Sequence, residues 1–478
     1  MENTDEPQNS DVDSDRPVEH EIHVSPTTLR SVSFNDYLRP QRWNWDLLLR
    51  GIDRGIEKSV RRPLEAVSVR SLRFFYLDGI FATISENFYA SFIVLFALAF
   101  GAEGRTIGLM TAVANLCGTI ALFPGAAAIE KTGVRKPLIL ASGGGVGRLA
   151  LLGLAVLPFF TRTPPVTLVA IIALHGVRAF MSNFANPAWT SLVADVVPND
   201  IRGRYFSRRN QAMALAAMLA APLAGRIIGA FPGADGLGIH GYQIVFAIAF
   251  VVGILGTVSF AGITEPHVPH DEKPRHARGD LRRALRENPR YVGFVAGAFV
   301  WNLSIQISAP FFNVYLVQDF GATASIVGIN VGIFSIAGLI GQRVFGPLLD
   351  ARGTVFLQKT TGFMIPFVPV LWIFLTSAEQ SYALNALAGF LWSGYNLANF
   401  NYLLESSPKS QRARAVALYQ TVVFASAVIG PLIGGLVADI VGYRPIFALS
   451  GAGRMIGIVV FAVTHRVGKT VQEKRPYR

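Results

Sequence analysis

From Phe74 to Phe100 the chain reads FFYLDGIFATISENFYASFIVLFALAF. A run this long and apolar crosses a bilayer as a helix, which needs ~20 mostly apolar residues. It also carries two carboxylates. Asp78 lies in its first turns. Glu86 sits near its middle, where an ionised acid in hydrocarbon costs at least ~2.5 kcal/mol on insertion scales. Any fold of this chain has to compensate that cost.

Eleven more apolar runs follow. The twelve spans are expected at 73–100, 106–128, 137–160, 166–193, 210–231, 242–262, 291–318, 322–347, 355–377, 381–405, 415–440 and 445–463. Hydrophobic residues make up 51% of the 478-residue chain and charged residues only 15%, against about 25% charged in soluble proteins. The composition is that of an integral membrane protein. The net charge of +12 would suggest nucleic acid in a soluble chain. Here it falls between apolar spans and reads as an orientation signal instead, with no nucleic-acid partner expected. Alternate gaps, starting from the one between spans 2 and 3, carry 18 Lys and Arg, and the intervening gaps carry three: Arg105, Arg162 and Arg444. Positive residues stay inside, so the basic gaps and both termini are expected in the cytoplasm, in a bacterial-type inner or plasma membrane. The lone cysteine, Cys117, allows no internal disulfide. No short apolar run near Met1 reads as a secretory signal.

Six segments result. Residues 1–40 read as a disordered cytoplasmic tail, acidic in its first part. Residues 41–72 mix Trp43, Trp45, Leu47 and Ile52 with Arg42, Arg50 and Arg54, the pattern of an amphipathic helix on an anionic membrane surface. A six-helix bundle follows at 73–262, then a basic cytoplasmic linker at 263–290, a second six-helix bundle at 291–463, and a basic cytoplasmic tail at 464–478.

The halves repeat. AIEKTGVRK (128–136) follows span 2 and LLDARGTV (348–355) follows span 8, so that Glu130 and Asp350, and Gly133 and Gly353, are each 220 residues apart. Phe-Gly-Ala recurs at 100–102 and 320–322 with the same offset. NFAN (183–186) matches NLAN (396–399), PNDIRGR (198–204) matches PKSQRAR (408–414), and APLAG (221–225) matches GPLIG (430–434). Matches in one order along both halves imply parallel six-helix repeats with a site between them.

On these residues the chain resembles the major facilitator superfamily over about 73–463. The family's motif after spans 2 and 8 has Gly, three residues, Asp, a basic residue, any residue, Gly, then basic residues. Gly346, Asp350 and Gly353 fit it, with Arg352 shifted one place by Ala351; Glu130, Lys131, Gly133 and Arg135 fit in the first copy, where Ala126 replaces the initial glycine. The resemblance implies an all-α membrane protein of twelve transmembrane helices in two pseudo-symmetric halves. Glu130 and Asp350 then read as a cytoplasmic latch that pairs with Arg202, Arg204, Arg412 or Arg414, against the plainer reading of solvated turns.

The resemblance also implies that spans 1, 4, 7 and 10 line a central cavity and that spans 3 and 12, with Arg148 and Arg454, are peripheral. The cavity candidates are Asn87, Asn183, Asn186, Asn302, Gln306, Trp392, Tyr395, Asn396 and Asn399. Each Asn pair at i, i+3 is expected to face one way. Gln306 is the counterpart of Glu86 at the 220 offset, so one half has an acid where the other has an amide. Glu86 is the first candidate for a proton-coupling acid, with Arg178 as its partner, His175 one turn before it, and Asp78 as a secondary candidate. The plainer alternative is a fixed structural Glu–Arg pair.

No P-loop is present, and GAGRMIG (451–457) lies inside an apolar span with no strand before it, so neither nucleotide site nor cofactor is expected. No metal-ligand array is evident, and no enzyme activity is expected. The expected partners are a small-molecule solute, protons and membrane lipids, and the expected state is a monomer. The aromatics around the cavity suit an amphipathic compound. The reading is alternating access with proton-coupled export of such a compound. Proton-coupled uptake of a sugar or other metabolite stays open, as does a transporter-like solute sensor.

Overall fold

The computed structural model describes residues 66–161, 163–198, 201–231, 239–265, 289–406 and 412–473. The expected tail at 1–40, most of the amphipathic segment at 41–72, most of the linker at 263–290, and residues 474–478 lie outside the described residues.

The described secondary structure is helical. Span 1 is Ala66–Tyr89, continued after a turn by Ile93–Ala99, and span 2 is Gly104–Thr132. Span 3 starts as Lys136–Ala141, passes through the π-helical turn Ser142–Val146 and resumes as Gly147–Phe160. Spans 4, 5 and 6 are Pro164–Val196, Arg202–Ala230 and Ile239–Ala261. Span 7 is Pro289–Ser308 followed by Phe311–Phe320, and span 8 is Ala324–Arg352. Span 9 is Thr354–Met364 and Phe367–Trp372; spans 10 and 11 are Ser381–Ser406 and Arg412–Val441. Span 12, Tyr443–Glu473, runs well past the expected end at 463.

Eleven of these are long and apolar enough to cross a membrane. Ser381–Ser406 has the length but is too polar to meet that measure. Its polar groups are answered by neighbouring helices, as membrane bundles require. Asn385 Nδ2 donates to Asn330 Oδ1 of span 8 at 2.9 Å, and Asn330 Nδ2 donates to Ser381 Oγ at 2.8 Å.

The internal repeat is visible in the backbone. Spans 1 and 7 both break near their last third, at 90–92 and at Ala309–Pro310. Each second piece ends on the glycine of a Phe-Gly-Ala, Gly101 at φ +79° and Gly321 at φ +62°. The paired loop glycines both have positive φ, Gly133 at +67° and Gly353 at +79°. Side chains beyond glycine are costly in this region.

The halves meet along span pairs 2·11 and 5·8, and through the second pieces of spans 1 and 7. Spans 2 and 8 are repeat counterparts, as are 5 and 11, so the interface has a pseudo-twofold character. Contact gathers at one end. Arg105 pairs with Asp439 at 3.2 Å, Ser325 Oγ donates to Gly225 O at 3.2 Å, and Asn115 Nδ2 donates to Ala427 O at 2.7 Å, nearer mid-depth. At Gly435 a Cβ would meet the Gly104 carbonyl at 2.6 Å, so two backbones touch there. One apolar core crosses between halves at this closed end, joining Phe92, Phe96 and Ile107 to Ile307, Phe311, Val327 and Ala438. Toward the opposite end the cores divide. Leu72, Phe75, Leu192 and Tyr205 belong to one half; Phe345, Leu357 and Ala398 belong to the other.

At that open end the first half is tied together by Arg135. This buried side chain forms ion pairs with Asp195 of span 4 and with Glu265 after span 6, the latter at 3.0 Å, and donates to Ser191 Oγ at 3.1 Å. Glu265 also accepts the backbone N–H groups of Arg135 and Lys136 at 3.2 and 3.3 Å. It thereby caps the positive N-terminus of span 3. In the second half Thr354 Oγ1 donates to Glu405 Oε1 at 2.7 Å, tying span 9 to span 10.

Arg135→Ala leaves two partly buried acids without their cation, a loss of about 2 kcal/mol, below the full cost for a deeply buried pair because both acids reach solvent. The expected result is a lower melting temperature for the purified protein in detergent. Glu130→Gln, at an exposed position, is expected to leave it unchanged. Equal melting temperatures for wild type and Arg135→Ala would refute the tie.

Candidate functional site

A cavity of about 380 Å³ opens inside the first half. Span 1 contributes Asp78, Ala82 and Glu86, which lie four residues apart on one helix face. Span 4 contributes Arg178, Ser182 and Asn186 at the same spacing, with Trp189 beyond. Span 3 contributes Gly143, Gly144 and Arg148, and span 6 contributes Thr257 and Phe260. A larger apolar groove of about 880 Å³ at the closed end is lined by Leu98, Leu109, Pro164 and Val169, with no ionisable side chain among its described lining residues.

Glu86 and Arg178 form an ion pair. The two sides of the pair differ: the Glu86 side chain is 48% exposed and that of Arg178 10%. The acid faces open space and the guanidinium stands behind it. Arg178 Cζ lies 4.1 Å from the Tyr89 ring centroid, a cation–π contact inside the bundle. The Tyr89 hydroxyl shares a hydrogen bond with His175 Nδ1. Four side chains from two helices thus form one row, Glu86–Arg178–Tyr89–His175. The sequence names three of these as candidates; the fourth, Tyr89, lies one turn from Glu86.

Asp78 is buried in the wall, not lodged at the interface. Its Oδ2 lies 3.8 Å from Arg209 Nη2, and both side chains are largely enclosed, at 14% and 6% exposure. Arg209 is fixed from two further directions, donating from Nε to Phe75 O at 3.2 Å and stacking over the Phe75 ring at 4.1 Å. Arg209 was read only as a loop charge. Its place at the head of apolar span 5, one residue after Arg208, gave no sign that it turns inward.

Arg148 corrects a second expectation. Span 3 is not merely peripheral, because this side chain lines the cavity and donates from Nη1 to Ser85 Oγ at 2.9 Å. Ser85 in turn donates to Ala249 O at 2.6 Å. The glycine-rich stretch SGGGV (142–146) forms the π-turn that precedes Arg148. Such turns often sit at functional places in helices.

The asparagines do not face in pairs. Asn186 lines the cavity, while Asn183 packs against Gly118 of span 2 and bonds its own helix at Ala179 O, 2.9 Å away. Three residues turn a helix by about 300°, which separates the two directions. Asn87 and Asn302 also bond back onto their helices, at Thr83 O and Ala298 O. Asn396 is exposed, whereas Asn399 belongs to a polar chain in the second half. There Gln358 Nε2 donates to Asn399 Oδ1 at 3.4 Å, and Asn399 Nδ2 donates to the Tyr419 hydroxyl at 2.8 Å. Beside it Tyr395 stacks on Trp301 at 4.6 Å, with Trp392 edge-on to Tyr395. Gln306 packs against Gly430 of span 11. By the NFAN/NLAN alignment the counterpart of Arg178 is Leu391, so the second half lacks both members of the Glu86–Arg178 pair.

The loop residues sort into two groups. Glu130, Lys131, Asp350 and Arg352 are exposed at the open end, and among the described residues neither acid there has an ion pair. Arg352 lies over the Phe356 ring at 5.0 Å. Gly346 has open space around it, and Gly133 and Gly353 end their helices. Arg135 is the internal tie described above and not part of an exposed latch. Arg202 also turns inward on its own half, donating to Ala194 O and Val197 O at 2.6 and 3.0 Å. Arg204 stands near the start of span 5. The side chains of Arg412 and Arg414 lie outside the described residues.

The profile of the Major Facilitator Superfamily matches residues 77–357 and 294–476. The multidrug resistance protein MdtG of Proteus mirabilis is 28% identical over 169 residues, which is 34% of this chain and 42% of that protein. The match thus spans about two fifths of that relative's length. The multi-drug resistance efflux pump PmrA of Streptococcus pneumoniae is 25% identical over 321 residues, 66% of this chain and 74% of the pump. Among solved structures, a D-xylose-proton symporter superposes with a TM-score of 0.62 at 14% identity, covering 83% of this chain and 96% of the symporter. An inward-facing bacterial homologue of the iron transporter ferroportin superposes with a TM-score of 0.62 at 16% identity, covering 84% and 99%. With its repeated halves, its loop glycines and a profile match that runs through both bundles, the chain belongs to the Major Facilitator Superfamily.

Proposed function

We propose that this protein is a secondary active transporter that works by alternating access and exports a small amphipathic organic compound in exchange for protons. The observation that carries the reading is the Glu86–Arg178 pair on the wall of a cavity, in a molecule whose described residues join the two halves in one core at one end and divide at the other. The basic loops lie at the open end, so the positive-inside rule turns that end to the cytoplasm and makes this an inward-open state. Export is favoured by the relatives, which are named for multidrug resistance and efflux.

In this reading Glu86 carries the coupled proton. It is the partner that reaches open space, so it can exchange a proton with the cavity, while Arg178 is anchored by Tyr89. A proton on Glu86 neutralises the acid and leaves Arg178 uncompensated. The wall changes by one charge, and a state that tolerates that charge better gains population. The Tyr89–His175 bond fixes the back of the row. When the cytoplasmic end closes, Glu130 and Asp350 latch it by pairing with arginines of the opposing loops.

Glu86→Gln is expected to abolish solute movement driven by an imposed pH gradient in proteoliposomes while keeping counterflow. Full pH-driven transport with lowered stability would make Glu86 structural. Absence of counterflow in wild type would favour a sensor, and solute movement along the proton flux would favour uptake.

Asp78→Asn strips a buried arginine of its carboxylate, which costs about 3–5 kcal/mol. Adding Arg209→Gln is expected to recover at least half of the lost thermal stability. A double variant as unstable as the sum of the two singles would refute the pairing.

Spin labels at Thr132 and Ala351 report the latch. Wild type is expected to show a short-distance population, and Asp350→Asn to remove it. An unchanged distance distribution and transport rate would sink the latch.

A further inference from the structure

The charges around the first-half cavity do not balance. Asp78 is taken by Arg209 and Glu86 by Arg178. Arg148 is left over. Among the described residues its guanidinium makes one hydrogen bond, to the neutral hydroxyl of Ser85, and no ion pair. Its Nε is enclosed without a partner. A lone cation at this depth is expensive unless something answers it.

The position of Arg148 is nevertheless built by three separate elements. The π-turn Ser142–Val146 sets the helix phase just before it. Ser85 of span 1 holds Nη1. Span 6 makes room with Gly253, where a Cβ would meet Arg148 Cδ at 2.7 Å and Nε at 2.9 Å. A side chain that only snorkelled to water would need none of these. The same cavity is lined by Ser182 and by the larger, mostly apolar side chains of Trp189, Met213 and Phe260. The volume of about 380 Å³ lies in the range of small-molecule pockets.

We propose that the transported compound carries one anionic group, a carboxylate, sulfonate or phosphonate, and that Arg148 receives it in this cavity while its apolar body lies along Trp189 and Phe260. The compound completes neutrality: three guanidinium groups then face three anionic groups. The Arg148 charge is strongest where water is least, so the group that pairs with it contributes orientation as well as affinity. A neutral or cationic analogue of equal shape leaves Arg148 unanswered and, if cationic, adds repulsion. This deepens the transport reading above and rests on it for the word transported; the anion site itself does not.

Three naphthalene probes of one shape test it: 2-naphthoate, 2-naphthamide and 2-naphthylmethylammonium, each titrated by calorimetry against the purified full chain in detergent. Wild type is expected to bind the naphthoate at least tenfold more tightly than the other two. Arg148→Gln is expected to remove that preference and Arg148→Lys to keep most of it. A wild type that does not prefer the naphthoate overturns the proposal, whatever the folding of the variants; so does an Arg148→Gln protein, folded by its melting curve, that keeps the preference. Counterflow of labelled naphthoate in proteoliposomes separates the two readings. Binding that depends on Arg148 without counterflow keeps the anion site and sinks transport. Counterflow of the amide or the ammonium, unaffected by Arg148→Gln, keeps transport and sinks the anion site.

Discussion

An ionised group inside a membrane has to be answered by another group, and the first half of this molecule is arranged around that requirement. Asp78 meets Arg209, Glu86 meets Arg178, and Arg135 meets Asp195 and Glu265. Each pair joins different spans, so the same contacts that lower the cost of charge also fix helix positions. The pairs are not equivalent. Arg135 and Asp78 are enclosed within one bundle, whereas Glu86 reaches the open space and its arginine does not.

The two halves share a backbone plan and differ in chemistry. Their broken first helices, their left-handed loop glycines and their reciprocal interface pairs repeat. The charged cavity belongs to the first half. The second half offers a neutral chain, Gln358–Asn399–Tyr419, beside a stack of Trp301, Tyr395 and Trp392. Trp301, Tyr395 and Gln358 are enclosed within their own half, and the described lining of the charged cavity comes from the first half. The repeat is thus one of backbone plan, while the ionisable groups of the cavity belong to one half.

Much of this was legible in the sequence. The spans, the repeat and the pairing of Glu86 with Arg178 followed from hydropathy, from offsets of 220 residues and from the cost of a buried acid. What escaped had physical reasons. Arg135 lies at a helix start and Arg209 in the basic stretch just before the apolar run of span 5, where such residues usually serve orientation, and nothing local reveals that they turn inward. Asp195 and Glu265 flank loops and look like solvated acids until the fold brings them to Arg135. Arg148 follows a glycine run that promises tight packing; the π-turn that re-aims it depends on hydrogen bonding that composition does not encode. The asparagine pairs failed for a simpler reason. A three-residue step leaves about 60° between side chains, enough to put one against a neighbour and the other in a cavity.

The polar character of Ser381–Ser406 has a bearing on how the protein is made. A helix of this composition gains little by leaving the insertion machinery for lipid alone, because asparagines at depth oppose partitioning. Asn385 finds its partner on span 8, and Asn330 of span 8 finds Ser381. Span 8 precedes span 10 in the chain and is present first. The order of the chain therefore places the polar partner of Ser381–Ser406 ahead of it, so that this helix has a docking surface on span 8 from the start.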